Sequence, residues 1–142
     1  MKSILRSILA VVAGLIVLTV VSFGIEALVD PLLMHLFPTA LPDATALARN
    51  VPARLLMTAY TLLAVALGGY ATAWIASRAK LRHAIVMGAL EAAMTLGVMI
   101  FAPFPEAHNA PRWGFIVAIV LMIPAAALGA RMQMRRRPPI VA

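Results

Sequence analysis

The sequence predicts an all-α fold, an integral membrane bundle of four helices with both termini in the cytoplasm, and three observations predict it. The chain of 142 residues is 63% hydrophobic and only 12% charged, with a mean hydropathy of +0.98; a water-soluble domain is roughly half apolar and roughly a quarter charged. Four apolar stretches are each long enough to cross a hydrocarbon core of about 30 Å at about 1.5 Å per residue. The cations flank these stretches unevenly. A chain this short has too little interior to bury so much apolar surface, so lipid must cover the remainder, and residues 1–142 form a single transmembrane domain.

The first span runs over residues 4–29, interrupted by charge only at Arg6 and Glu26. Its basic start resembles the n-region of a secretory signal, but the apolar run continues past the small residues Ser22 and Gly24, so it reads as a retained helix. Asp30-Pro31 is expected to end it, because proline lacks an amide donor and disfavours helical geometry in the residue before it. The stretch that follows is the longest loop: Leu32, Leu33, Met34, Leu36 and Phe37 suit an interface, and Asp43 offers an N-cap for a short helix reaching Asn50. The second span covers residues 53–77, with Pro52 in its first turn. The third covers 83–102 and stops at Pro103 and Pro105; the fourth covers 113–132, with Pro124 inside it.

Orientation follows from the cations. Lys2, Arg6, Arg78, Lys80, Arg82, Arg131, Arg135, Arg136 and Arg137 fall on one side of the four spans, and Arg49, Arg54 and Arg112 on the other. That bias of nine to three places the termini and the turn between the second and third spans in the cytoplasm of a cell whose inner (plasma) membrane the chain crosses. The same placement accounts for the net charge of +7 without nucleic acid, since the cations sit where membrane anchors sit. With no cysteine, thiolate metal sites, disulfides and thiol nucleophiles are excluded.

Helices in lipid associate through close backbone approach at small residues. The second span carries Ala64, Gly68, Thr72 and Ala76 at every fourth position, with Gly69 and Ala73 beside them; Ala84, Gly88 and Ala92 answer in the third, and Ala126 and Ala130 in the fourth. Such stripes serve equally well inside one chain or between copies.

Glu91 is the most informative single residue. Set about 12 Å above the cytoplasmic end of the third span by helical rise, its carboxylate would cost about 2.5 kcal/mol or more facing lipid, so it should face other helices or be protonated. Tyr70 and Thr72 come to about the same depth on the second span, and Gly14 on the first, so a hydrogen bond from Tyr70 or Thr72 is the expected way to satisfy it. Glu26 and Arg54 meet at the outer boundary, where a salt bridge between them is expected, roughly 20 Å along the membrane normal from Glu91. His35, His108, Asp43 and Glu106 share the outer side but match no ligand spacing, so no metal is implied. No catalytic motif is present either, no catalytic residue is assigned, and no cofactor is implied.

In helix count, small size and an intramembrane glutamate, the chain resembles the small multidrug resistance exporters. It departs from them in carrying the glutamate in the third helix rather than the first, in its longer loops, and in a charge bias that opposes dual topology. Two readings follow. The preferred one is a non-enzymatic membrane component or accessory subunit acting through helix–helix packing, with the lipid bilayer, further copies or other membrane subunits as partners and no nucleic acid. The other is an oligomeric proton-coupled small-molecule transporter or channel using Glu91.

Overall fold

In the computed structural model, which describes residues 2–101 and 111–136, the chain is all-α. Its helices are α1 (Lys2–Leu36), α2 (Ala44–Arg49), α3 (Val51–Ile75), α4 (Lys80–Phe101) and α5 (Arg112–Arg135). All except α2 are long and apolar enough to cross a membrane. Pro103, Pro105, Glu106, His108 and Arg137 lie outside the described residues.

The first helix does not stop at Asp30-Pro31. It continues to Leu36 with Pro31 inside it. Proline removes the hydrogen bond to the carbonyl of Ala27 and costs about 3 kcal/mol in a helix interior, and packing beyond the proline offsets that cost. Leu33 and Met34 lie against a cluster of Leu41, Leu47 and Ala53 that Met57 also touches. The next turn is held by Phe37 N–H donating to Leu33 O at 2.9 Å and Leu41 N–H donating to Phe37 O at 2.8 Å. The loop thus folds back on the helix that precedes it.

α2 starts directly after its expected cap, while α3 and α4 start ahead of their expected first residues, each for a local reason. Asp43 Oδ1 accepts the Ala46 N–H at 2.7 Å and caps α2. Asn50 ends α2 and also caps α3, its Oδ1 accepting the Ala53 N–H at 3.1 Å, with Pro52 in the first turn where a missing donor costs nothing. Ala79, in the left-handed region at φ 47°, reverses the chain after α3. Its carbonyl accepts the His83 N–H at 3.2 Å, which starts α4 at Lys80. The last helix runs on to Arg135, since no glycine or proline interrupts residues 130–136.

The four long helices form a ring. α1 packs on α3, α3 on α5, α5 on α4 and α4 on α1, while α3 and α4 also meet across it; the α3–α5 seam is the most extensive. Glycines set the distances between helices. A Cβ on Gly68 would come within 2.7 Å of Gly14 O, and one on Gly69 would run into the backbone carbonyl of Ala126. A Cβ on Gly129 would collide with Ala66 O, and one on Gly88 would lie 2.9 Å from the Ala126 methyl. The core is correspondingly built of small residues: Ala64, Ala73, Ala84, Ala126 and Ala130 have no exposed surface. Met87, Met122 and Val65 are the largest apolar side chains wholly buried among them, while many others point outward, including Val20, Phe23, Leu28, Val120 and Phe101.

One end of the ring gathers the cations. Arg6 Nε donates to Ile75 O at 3.1 Å, supplying a donor to the carbonyl end of α3, and Lys80 Nζ donates to the buried Gln133 Oε1 at 3.5 Å. The opposite end carries α2, the starts of α3 and α5, and the acids of α1.

Candidate functional site

The polar side chains of the α2 end converge on a cavity of about 150 Å³ between α1, α3 and α5, lined by Glu26, Arg54, Thr58, Tyr60, Thr61 and Phe115 among others. Arg54 lies in the first turn of α3 and crosses toward α5. Its guanidinium stacks over the Phe115 ring, 4.4 Å from the centroid, a contact worth about 0.5–2 kcal/mol depending on desolvation. Gly114 makes the crossing possible, because a Cβ there would stand 2.5 Å from Arg54 Nε and 3.1 Å from its Cγ. The Nε is buried and has no hydrogen-bond partner, which leaves a desolvated donor at a cost of about 1–3 kcal/mol.

The acids belong to α1. Glu26 and Asp30 are four residues apart and so share a helix face. Asp30 has a partner, since Tyr60 Oη donates to its Oδ1 at 3.3 Å. Glu26 is half-buried and receives no hydrogen bond from the described residues. The salt bridge expected between Glu26 and Arg54 does not form: both line the cavity, with no ion pair between them. The reason is azimuthal. Equal depth put them at one level, but Arg54 turns toward α5 and its aromatic ring rather than toward α1. The threonines spend their protons locally, Thr58 Oγ1 on Arg54 O at 2.9 Å and Thr61 Oγ1 on Met57 O at 2.9 Å, so in the cavity their oxygens can only accept.

Glu91 sits half-buried on α4, between the buried Met87 and Gly88 and the next turn. Its expected partners do not reach it. Thr72 is fully buried and donates to Gly68 O at 2.9 Å on its own helix. Its hydroxyl faces α1, where a Cβ on Gly14 would collide with it. Tyr70 carries its backbone to the α5 side, its amide nitrogen 3.0 Å from where a Gly129 Cβ would stand. Common depth on a helix does not fix a common direction, and α3 turns Thr72 toward α1. Among the described residues no donor reaches Glu91; one turn on, Thr95 donates to Met122 Sδ at 3.8 Å.

No group of three potential metal ligands occurs among the described residues. The polar lining of the cavity holds no histidine or cysteine; its charged and hydroxyl groups can hold a ligand by charge and hydrogen bonds. Larger grooves exist, such as one of about 390 Å³ between α1 and α4 near Val11 and Leu90, but they are apolar and offer little to orient a ligand. Asp30, Tyr60, Phe115 and Gly114 were not singled out from the sequence. The i, i+4 spacing of Glu26 and Asp30 was the available signal, hidden by ending the first helix at Pro31. Compared with known proteins, the chain matches no family model, no curated protein and no solved structure.

Proposed function

We propose that this chain is a multi-pass protein of an inner (plasma) membrane, with both termini and the α3–α4 turn in the cytoplasm, and that it serves as a non-enzymatic membrane component or accessory subunit. The observation that carries this reading is the distribution of side-chain size: alanine and glycine line the closest helix seams, with a few large side chains such as Met87, Met122 and Val65 between them, while many leucine, valine and phenylalanine side chains face outward. A bundle in water gains stability by burying its large apolar residues and facing polar ones outward. Only a hydrocarbon solvent makes the opposite arrangement favourable, because close backbone packing is then the main source of association. The cations gathered at the Arg6 and Lys80 end support the orientation. The small-residue faces are consumed within the chain, so a partner subunit would meet its large apolar flanks or its polar end.

Native mass spectrometry of the protein extracted gently from its own membrane tests the role. A stoichiometric foreign chain supports an accessory subunit; a closed homo-oligomer without foreign chains favours the transporter reading and makes Glu91→Gln the next experiment. A reporter fused after Ala142 that is active only outside the cytoplasm overturns the orientation. The transporter reading has one observation in its favour, the absence of a donor for Glu91 among the described residues, and loss of coupled uptake in Glu91→Gln with folding intact would establish it.

A further inference from the structure

We infer that the cavity between α1, α3 and α5 binds a zwitterion carrying a primary ammonium and a phosphate a few ångströms apart, the chemistry of an ethanolamine phospholipid headgroup or of free phosphoethanolamine. The inference rests on the membrane placement proposed above for the lipid as source, and on the cavity alone for the chemistry. Two opposite charges line one small space without meeting: the Glu26 carboxylate, with no donor, and the Arg54 guanidinium, whose Nε is buried and unpartnered. In surroundings of low polarity, opposite charges within reach would pair, and each left alone is costly. An anion would satisfy Arg54 and leave Glu26; a simple cation would do the reverse. A zwitterion completes both, its phosphate oxygens accepting from the guanidinium and its ammonium donating to Glu26. The threonine oxygens of Thr58 and Thr61 have their own protons committed to helix carbonyls, which leaves acceptors for the remaining ammonium hydrogens. The volume of about 150 Å³ suits a small headgroup. Trimethylation of the ammonium would remove every N–H the acceptors need, so choline is disfavoured.

The test uses the full chain in detergent with ethanolamine, glycerol and choline phospholipids of identical acyl chains, read by native mass spectrometry. One ethanolamine lipid is expected to be retained about tenfold or more over the others, a difference of about 1.4 kcal/mol. Glu26→Gln should abolish that preference. Gly114→Ala should also abolish it by displacing the flexible Arg54 side chain, a change that leaves the helix seams alone. Soluble phosphoethanolamine that displaces the lipid supports the site with a free zwitterion as its source; retention against it supports the lipid. Equal retention of all three lipids, or an ethanolamine preference unchanged in both variants, overturns the proposal. Release of the protein from its membrane by alkaline carbonate would overturn the membrane placement instead, and phosphoethanolamine binding to the released protein would then decide the site.

Discussion

Replacing Gly129 by alanine puts a methyl group where α3 and α5 lie closest. The new Cβ would collide with Ala66 O and stand 2.7 Å from the Ala66 carbonyl carbon and 3.0 Å from the Tyr70 amide nitrogen. All three atoms are α3 backbone, so no side-chain rotation relieves the contact. Carbon atoms pack at about 3.5–4.0 Å, so α5 must retreat by about 1 Å. Ala126 and Ala130, both fully buried, retreat with it. Overpacking of this kind costs about 1–3 kcal/mol, and alanine returns about 1 kcal/mol through helix propensity. Gly97→Ala makes the same chemical change on α4, where nothing lies within 4 Å of the added methyl; the difference between the two variants therefore isolates the steric cost. In reversible unfolding by SDS in mixed micelles, followed by far-ultraviolet circular dichroism, Gly129→Ala should be less stable than Gly97→Ala by about 1–3 kcal/mol. Equal stability of the two would refute the claim that glycine sets the α3–α5 distance.

Three further outcomes are expected. Asp43→Ala should cost about 1 kcal/mol by removing the α2 cap, speeding exchange of the Ala46 amide hydrogen while amides in the middle of α5 keep their protection. Tyr60→Phe should cost about 1–3 kcal/mol, because it leaves the half-buried Asp30 carboxylate without its donor; Asp30→Asn should relieve part of that loss in a double-mutant cycle. Glu91→Gln should leave stability within about 0.5 kcal/mol or raise it, since no protein donor is lost and an acid whose ionised form is costly in an apolar region is removed; a loss of about 2 kcal/mol would reveal a donor to Glu91 in the folded protein.

Much of the local structure could be read from short-range chemistry. Asp43 as a cap and Pro52 in a first turn follow from the needs of unpaired amides within one turn of helix, and those needs do not depend on distant residues. Pro31 shows the limit of such reading. Its local preference against helix was real, yet Leu33 and Met34 packing on Leu41, Leu47 and Ala53 carried α1 through it. The candidate site was legible only in part: Glu26 and Arg54 could be placed at one level by counting rise, but Asp30, Tyr60 and Phe115 joined them only once helix directions were known.

The sequence by itself determined that four helices must be covered by lipid or by one another and which faces hold small residues, and it carries a cation bias that predicts their direction. These properties depend on composition and on periodicity along one helix, where rise and rotation per residue are nearly constant. Only the tertiary structure decided that the small-residue stripes close within the chain, that Thr72 turns toward α1 rather than Glu91, and that Arg54 stacks on Phe115 instead of pairing with Glu26. Those outcomes depend on how each helix is rotated about its own axis against its neighbours. That rotation is set by the fit of all seams together, with Gly14, Gly68, Gly69, Gly88 and Gly129 fixing how closely the backbones approach.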